Sequence, residues 1–163
     1  MSMHHGMFQS LFAYKAWASS QLLALLEAGA LADDAKTSHT VLRILNHAYV
    51  VDRIFQANMQ GIRHGYTALN TPETPSAAAL RAATRDLDQW YRDYIASLSL
   101  DHVNDSVAFT FVDGTAGVMT RAQMLMHVAT HGAYHRGEVG RLLEVHGIEA
   151  PPDSLSRFLT VAH

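Results

Sequence analysis

Apolar residues that return every three or four positions through long stretches, with glycine and proline between the stretches, constrain this chain more than any other feature. From Met7 to about Gly29, Leu11, Tyr14, Ala18, Leu22 and Leu25 or Leu26 come back to one face. That is the spacing of an amphipathic helix, and Gly29 is its stop. A polar link, DDAKTS, leads into a second helix from about Thr40 to Gly61 or His64. GYTALNTPETP has the glycines, prolines and polar residues of a loop. A third helix is expected from Pro75, with Thr74 as cap and proline at the first helical position, running to about Leu98.

The period then drops to two. Val107, Phe109 and Phe111 alternate with Ala108, Thr110 and Val112, and Asp113-Gly114 follows, a dipeptide suited to a tight hairpin turn. Thr120 and Gln123 fit a capping box that opens the last long helix, which ends at His146 with Gly147 as its stop. PPDSLSRFL reads as a proline-broken turn and a short terminal helix packing back. Four helices of this kind, each about 35–40 Å long, bury their apolar stripes against one another. The expected fold is an all-α four-helix bundle, with a short β-hairpin before the fourth long helix and a short C-terminal helix. The 163 residues read as one domain, 1–163, large enough to bury a core without disulfides.

Composition narrows the chemistry. There is no cysteine, which removes disulfides, thiolate metal sites and a cysteine nucleophile, and suits a reducing cytoplasm. A net charge of −3 gives no basic field for nucleic acid or acidic lipid. The N-terminus, MSMHHGMFQS, lacks a charged segment followed by an apolar run, and the apolar stretch LLALLEAGALA is too short to span a bilayer. The expectation is a cytoplasmic chain with neither membrane nor nucleic acid as partner. His4 and His5 are set aside from the site. No phosphate-cradling glycine loop and no Glu-x-x-His pair at core positions is present; Gly132, Gly137 and Gly140 read as close helix packing.

The chemistry concentrates in MLMHVATHGAYHRGEVGRLL, where His127, His131 and His135 recur at intervals of four. With His131 at zero on a helix, His135 lies at about +40°, His127 at about −40° and Glu138 at about −20°. Two imidazoles on successive turns can point at one spot, as in helical zinc motifs. A third ligand must come from another helix. His47, in RILNHAYVVDRIF, shares an apolar stripe with Ile44, Val51 and Ile54 and is the best candidate. His127 reads as a hydrogen-bonded neighbour or as a replacement for His47. A shared cation satisfies one nitrogen on each of three rings, where an unpartnered buried imidazole loses a few kcal/mol.

The run HVATHGAYHRGEVGRLLEVHGIEAPPDSLSRFL resembles the C-terminal half of the DinB/YfiT-like family of damage-inducible bacterial proteins, which is unrelated to the DNA polymerase of that name. YKAWASSQLLALL is similar to the family's opening helix, LNHAYVVDRIF to its second, and FTFVDGTAG to the hairpin before its fourth. The resemblance implies a four-helix bundle of unusual connectivity, commonly a homodimer. It also implies a divalent metal ion held by His47, His131 and His135 at the open end of the bundle, with His127 beside it. Glu138 stands where the family commonly has glutamine, and Thr130 where asparagine is frequent.

Three neutral imidazoles leave a divalent cation its full charge and an open position, the pattern of catalytic rather than structural zinc. The ligand set suits zinc or nickel and admits iron or manganese. Glu138 reads either as a general base or as the group that orients an imidazole. Arg136 and Arg141 are expected to be surface or dimer charges, and Tyr14 and Trp17 to be core aromatics, with lining of a pocket beside the metal as the alternative. Relatives of this broad fold include transferases that activate a low-molecular-weight thiol. Thiol-dependent S-transfer on a small-molecule substrate is therefore the leading activity, and metal-assisted hydrolysis the next. A non-catalytic, metal-binding stress-response dimer is the alternative.

Overall fold

Three of the four long helices begin where a side chain takes an otherwise unpaired backbone N–H. The computed structural model describes residues 3–161; His4 and His5 have side chains outside that description. Helix α1 spans Met3–Glu27. Helix α2 (Ala35–Gln60) opens on Asp34, whose carboxylate accepts from the Thr37 amide at 3.0 Å, so it begins five residues ahead of the expected Thr40. It closes on Gly61, whose φ of 68° is a left-handed value that a glycine adopts at little cost. Helix α3 (Ala77–Ser97) is capped by the Ser76 hydroxyl, which accepts from the Ala79 amide. The expected cap, Thr74, is engaged elsewhere, its hydroxyl lying 3.1 Å from His39 Nε2.

A single turn, α4 (Leu100–Val103), follows a Ser99 cap and was not anticipated; four residues are too few for periodicity to register. Strands β1 (Ser106–Thr110) and β2 (Ala116–Thr120) form the expected antiparallel hairpin, with Phe109 opposite Gly117. Thr120 and Gln123 make the full capping box of α5 (Arg121–Val145). The chain ends in α6 (Leu155–Val161).

The bundle is a ring in which α1 packs on α3 and α5, and α2 packs on α5 and α3. Consecutive helices α1 and α2 therefore face each other across the diagonal. Two apolar cores fill the ring. Phe12, Phe55, Tyr91, Met124 and Val128 belong to the one closed by the hairpin; Leu22, Val41, Leu80, Val139 and Leu143 belong to the other. Between them along the helices lies a polar layer. Lys15 sits 2.8 Å from Asp52 and 2.6 Å from Asp88, all three almost wholly buried. Gly132 meets this layer, since a Cβ there would lie 3.4 Å from the Lys15 side chain. Gly137 faces open space and does not serve packing. Among the described residues no helix is long and apolar enough to cross a membrane.

Candidate metal centre

His47 stands midway along α2, and His131 and His135 midway along α5. All three are half-buried on the flank where these helices meet. The resemblance implies the open end of the bundle; the structure puts the cluster halfway along it, at the sequence level of the polar layer. Nε2 of His131 lies 3.3 Å from Nε2 of His47 and 3.2 Å from Nε2 of His135. One ligand atom from each of the three rings falls within 4.8 Å of the others, a grouping that could hold a metal ion.

The outer nitrogens decide what the inner ones can do. His47 Nδ1 donates to the Leu69 carbonyl at 2.7 Å, and His135 Nδ1 donates to Glu138 Oε2 at 3.0 Å. Both acceptors lack protons, so in the neutral rings Nε2 of His47 and Nε2 of His135 are bare lone pairs. Two lone pairs then crowd a third ring nitrogen, with at most one proton among the three. A divalent cation fits this set. At nitrogen–metal distances of about 2.0–2.1 Å, the edge of a tetrahedron is about 3.3 Å, which is the spacing His131 makes with its two neighbours.

The electrostatics agree with ligation. Burial, followed by the neighbouring His135, His127 and His47, pushes His131 down to about 4. Burial alone lowers His127. Both rings are therefore neutral at pH 7, the form a metal requires.

The loop acceptor for His47 is held in place by residues that periodicity did not single out. Asn46 donates to Thr71 Oγ1 at 2.6 Å and also to Asn70 Oδ1, while Asn70 Nδ2 donates to the Arg43 carbonyl at 2.9 Å. These bonds clamp residues 69–71 onto α2. Asn46 is only 2% exposed, and a buried amide must find partners.

Other expected residues go elsewhere. His127 stays out of the triad, stacking on His131 at 5.2 Å and packing against Phe55 at 4.6 Å between ring centroids. Arg136, expected at the surface, is buried. Its guanidinium binds Asp153 of the tail at 2.7 and 3.3 Å, and that carboxylate also accepts from the Tyr14 hydroxyl. Tyr14 and Trp17 meet Phe158 of α6, at 6.2 and 5.7 Å, rather than forming a pocket at the histidines. Arg141 is exposed, 3.6 Å from Glu144.

The sequence model of the DinB family matches residues 1–162. The chain belongs to the DinB family. A crystal structure of a DinB-like protein from Bacillus cereus ATCC 10987 superposes with a TM-score of 0.68, at 18% identity, over 89% of this chain and 94% of that one. At that identity the likeness shows the DinB-like fold alone. No curated protein matches the chain.

Proposed function

We propose that this DinB-family chain is a metal-dependent enzyme that couples a low-molecular-weight thiol to an electrophilic small molecule. In this reading His47, His131 and His135 hold a divalent cation, with zinc or nickel the best match to three imidazoles and iron or manganese admitted by the same donors. The observation that carries it is the pair of committed outer nitrogens on His47 and His135, which turns their Nε2 lone pairs toward His131.

Bound by three neutral rings, such a cation keeps its charge and a free position, and acidifies a thiol or water placed there. The protein's own part is positioning. The Leu69 carbonyl and the Glu138 carboxylate fix the tautomer and orientation of two ligands. Glu138 acts here through the ring by its Oε2, and its other carboxylate oxygen is left for the role of general base. In the transfer the sulfur of the thiol forms a bond to the electrophilic carbon, the leaving group departs with the electron pair of the bond that breaks, and the thiol's proton ends on that leaving group. Hydrolysis is the same displacement with water as nucleophile.

Elemental analysis of purified wild type beside His47→Ala, with thiol consumption measured against a panel of electrophiles, tests this. Wild type should carry a divalent metal and consume thiol with at least one electrophile, and His47→Ala should lose both. A variant that keeps its metal overturns the ligand set. If chelation lowers Tm but no electrophile accelerates thiol loss, the enzyme reading fails and the ion is a staple between α2 and α5.

A further inference from the structure

A second cavity, away from the histidines, lies between the chain that leaves α2 and the face of the hairpin. It is a half-open cleft of about 890 Å³, within the size range of small-molecule sites. Gly61 turns the chain out of α2, and the Ile62 amide returns to the Ala57 carbonyl at 3.0 Å, which swings residues 62–67 over β1. The opposite wall is aromatic. Phe109 and Phe111 pack edge to face at 4.8 Å across Gly117, where any Cβ would come within 2.7 Å of Phe109 and 2.9 Å of Phe111. Phe111 remains 46% exposed although it is a large apolar ring. That exposure leaves the ring open to the cleft.

On the side of the cleft formed by the end of α2 and the chain leaving it, two polar side chains carry an unpartnered atom. Asn58 is 8% exposed and its Nδ2 has no acceptor, and His64 Nδ1 is likewise shut from solvent without a bond. Buried donors left this way cost about 1–3 kcal/mol each, and native structures rarely keep them except where something else completes them. The charge is also one-sided. Arg63 lines the cavity and no carboxylate does, in a chain whose Asp and Glu number 15 against 12 Lys and Arg.

We propose that this cavity is a binding site for a small aromatic carboxylate. The flat ring lies against Phe109 and Phe111, and the carboxylate meets the exposed Arg63 guanidinium, with the unpartnered Asn58 and His64 nitrogens turning out from behind the wall to complete it. The site is separate from the histidine cluster: Phe109 touches Phe55, Phe55 touches His127, and of these three rings it is His127 that stacks on His131. It therefore stands whether or not a metal occupies the triad.

The test is titration of the full chain with 1-naphthoate, followed by ligand-observed NMR and calorimetry, beside 1-naphthylmethylamine and acetate. Naphthoate should bind saturably, the amine and acetate should not, and Arg63→Gln should weaken naphthoate about tenfold, the worth of one charge-assisted bond. Phe111→Ala, at an exposed position that does not threaten folding, should weaken it as well. His131→Ala should leave the affinity unchanged. Equal binding of naphthoate and the amine, an unaltered affinity in Arg63→Gln or in Phe111→Ala, or loss of binding in His131→Ala would each overturn the assignment, the last by placing naphthoate on the histidines.

Discussion

At the scale of single residues, the candidate centre depends on groups that would not touch a cation held by the three histidines. Glu138 is partly exposed, with 44% of its side chain reached by solvent, yet it accepts from a half-buried His135 at 3.0 Å. Outer acceptors of this kind orient the ring and raise its basicity, and their loss costs about 10–100-fold in metal affinity. Glu138→Ala is expected to weaken the metal by that factor while leaving the fold intact, since Glu138 packs no core. Competition with a calibrated chelator measures it, and an unchanged constant would show that the carboxylate does not hold the ring. The histidine pair on α5 was legible because a helix repeats on a fixed angle: His131 and His135 share a face by arithmetic. The Leu69 carbonyl and the Asn46–Asn70 clamp were not, because a backbone oxygen on a loop leaves no mark in side-chain pattern. Arg136 was misread for a related reason. Its buried position depends on Asp153, which arrives from the tail, and angular position on one helix cannot see a partner from another element.

At the scale of elements, the long helices and the hairpin were legible because their periods run over many residues, and their ends were not, because capping is decided by one side chain. Asp34 and Ser76 displaced the expected starts by taking backbone amides at 3.0 and 3.2 Å, each worth about 1 kcal/mol. The hairpin makes its own demand. Gly117 sits opposite Phe109 in the register, and both Phe109 and Phe111 cross the space a side chain would need. Gly117→Ala should cost about 1 kcal/mol through overpacking, read as a lower urea midpoint. Phe111 is the more exposed ring and can yield, so adding Phe111→Ala to Gly117→Ala should remove much of that cost. Strict additivity of the two changes would show that the rings do not compete with residue 117 for space.

At the scale of the whole molecule, the polar layer between the two cores governs how α1, α2 and α3 meet. One ammonium, Lys15, serves two carboxylates, Asp52 and Asp88, and all three are at most 5% exposed at the side chain. Lys15→Met leaves both carboxylates buried without their cation and is expected to cost about 3–5 kcal/mol, seen as a large fall in Tm. The arrangement also carries a pH signature. Burial outweighs Lys15 at Asp52 and raises its carboxyl to about 6, with Asp88 adding to the rise. In the unfolded chain the same group titrates near about 3.9, so between these values the folded protein holds the extra proton. The stabilisation from that proton is complete below about pH 4 and is lost as pH climbs through about 6. Asn at position 52 does not titrate. The stability of Asp52→Asn relative to wild type should therefore rise between about pH 4.5 and pH 7, by on the order of 1–3 kcal/mol. Denaturant midpoints of the two proteins at matched pH provide the measurement, and taking the difference cancels the histidines and the remaining carboxylates, which both chains share. A gap that stays constant over that interval would mean Asp52 remains ionised throughout, with Lys15 outweighing burial. The centre of the bundle would then be a fixed ion cluster rather than a layer that loses stability as it charges.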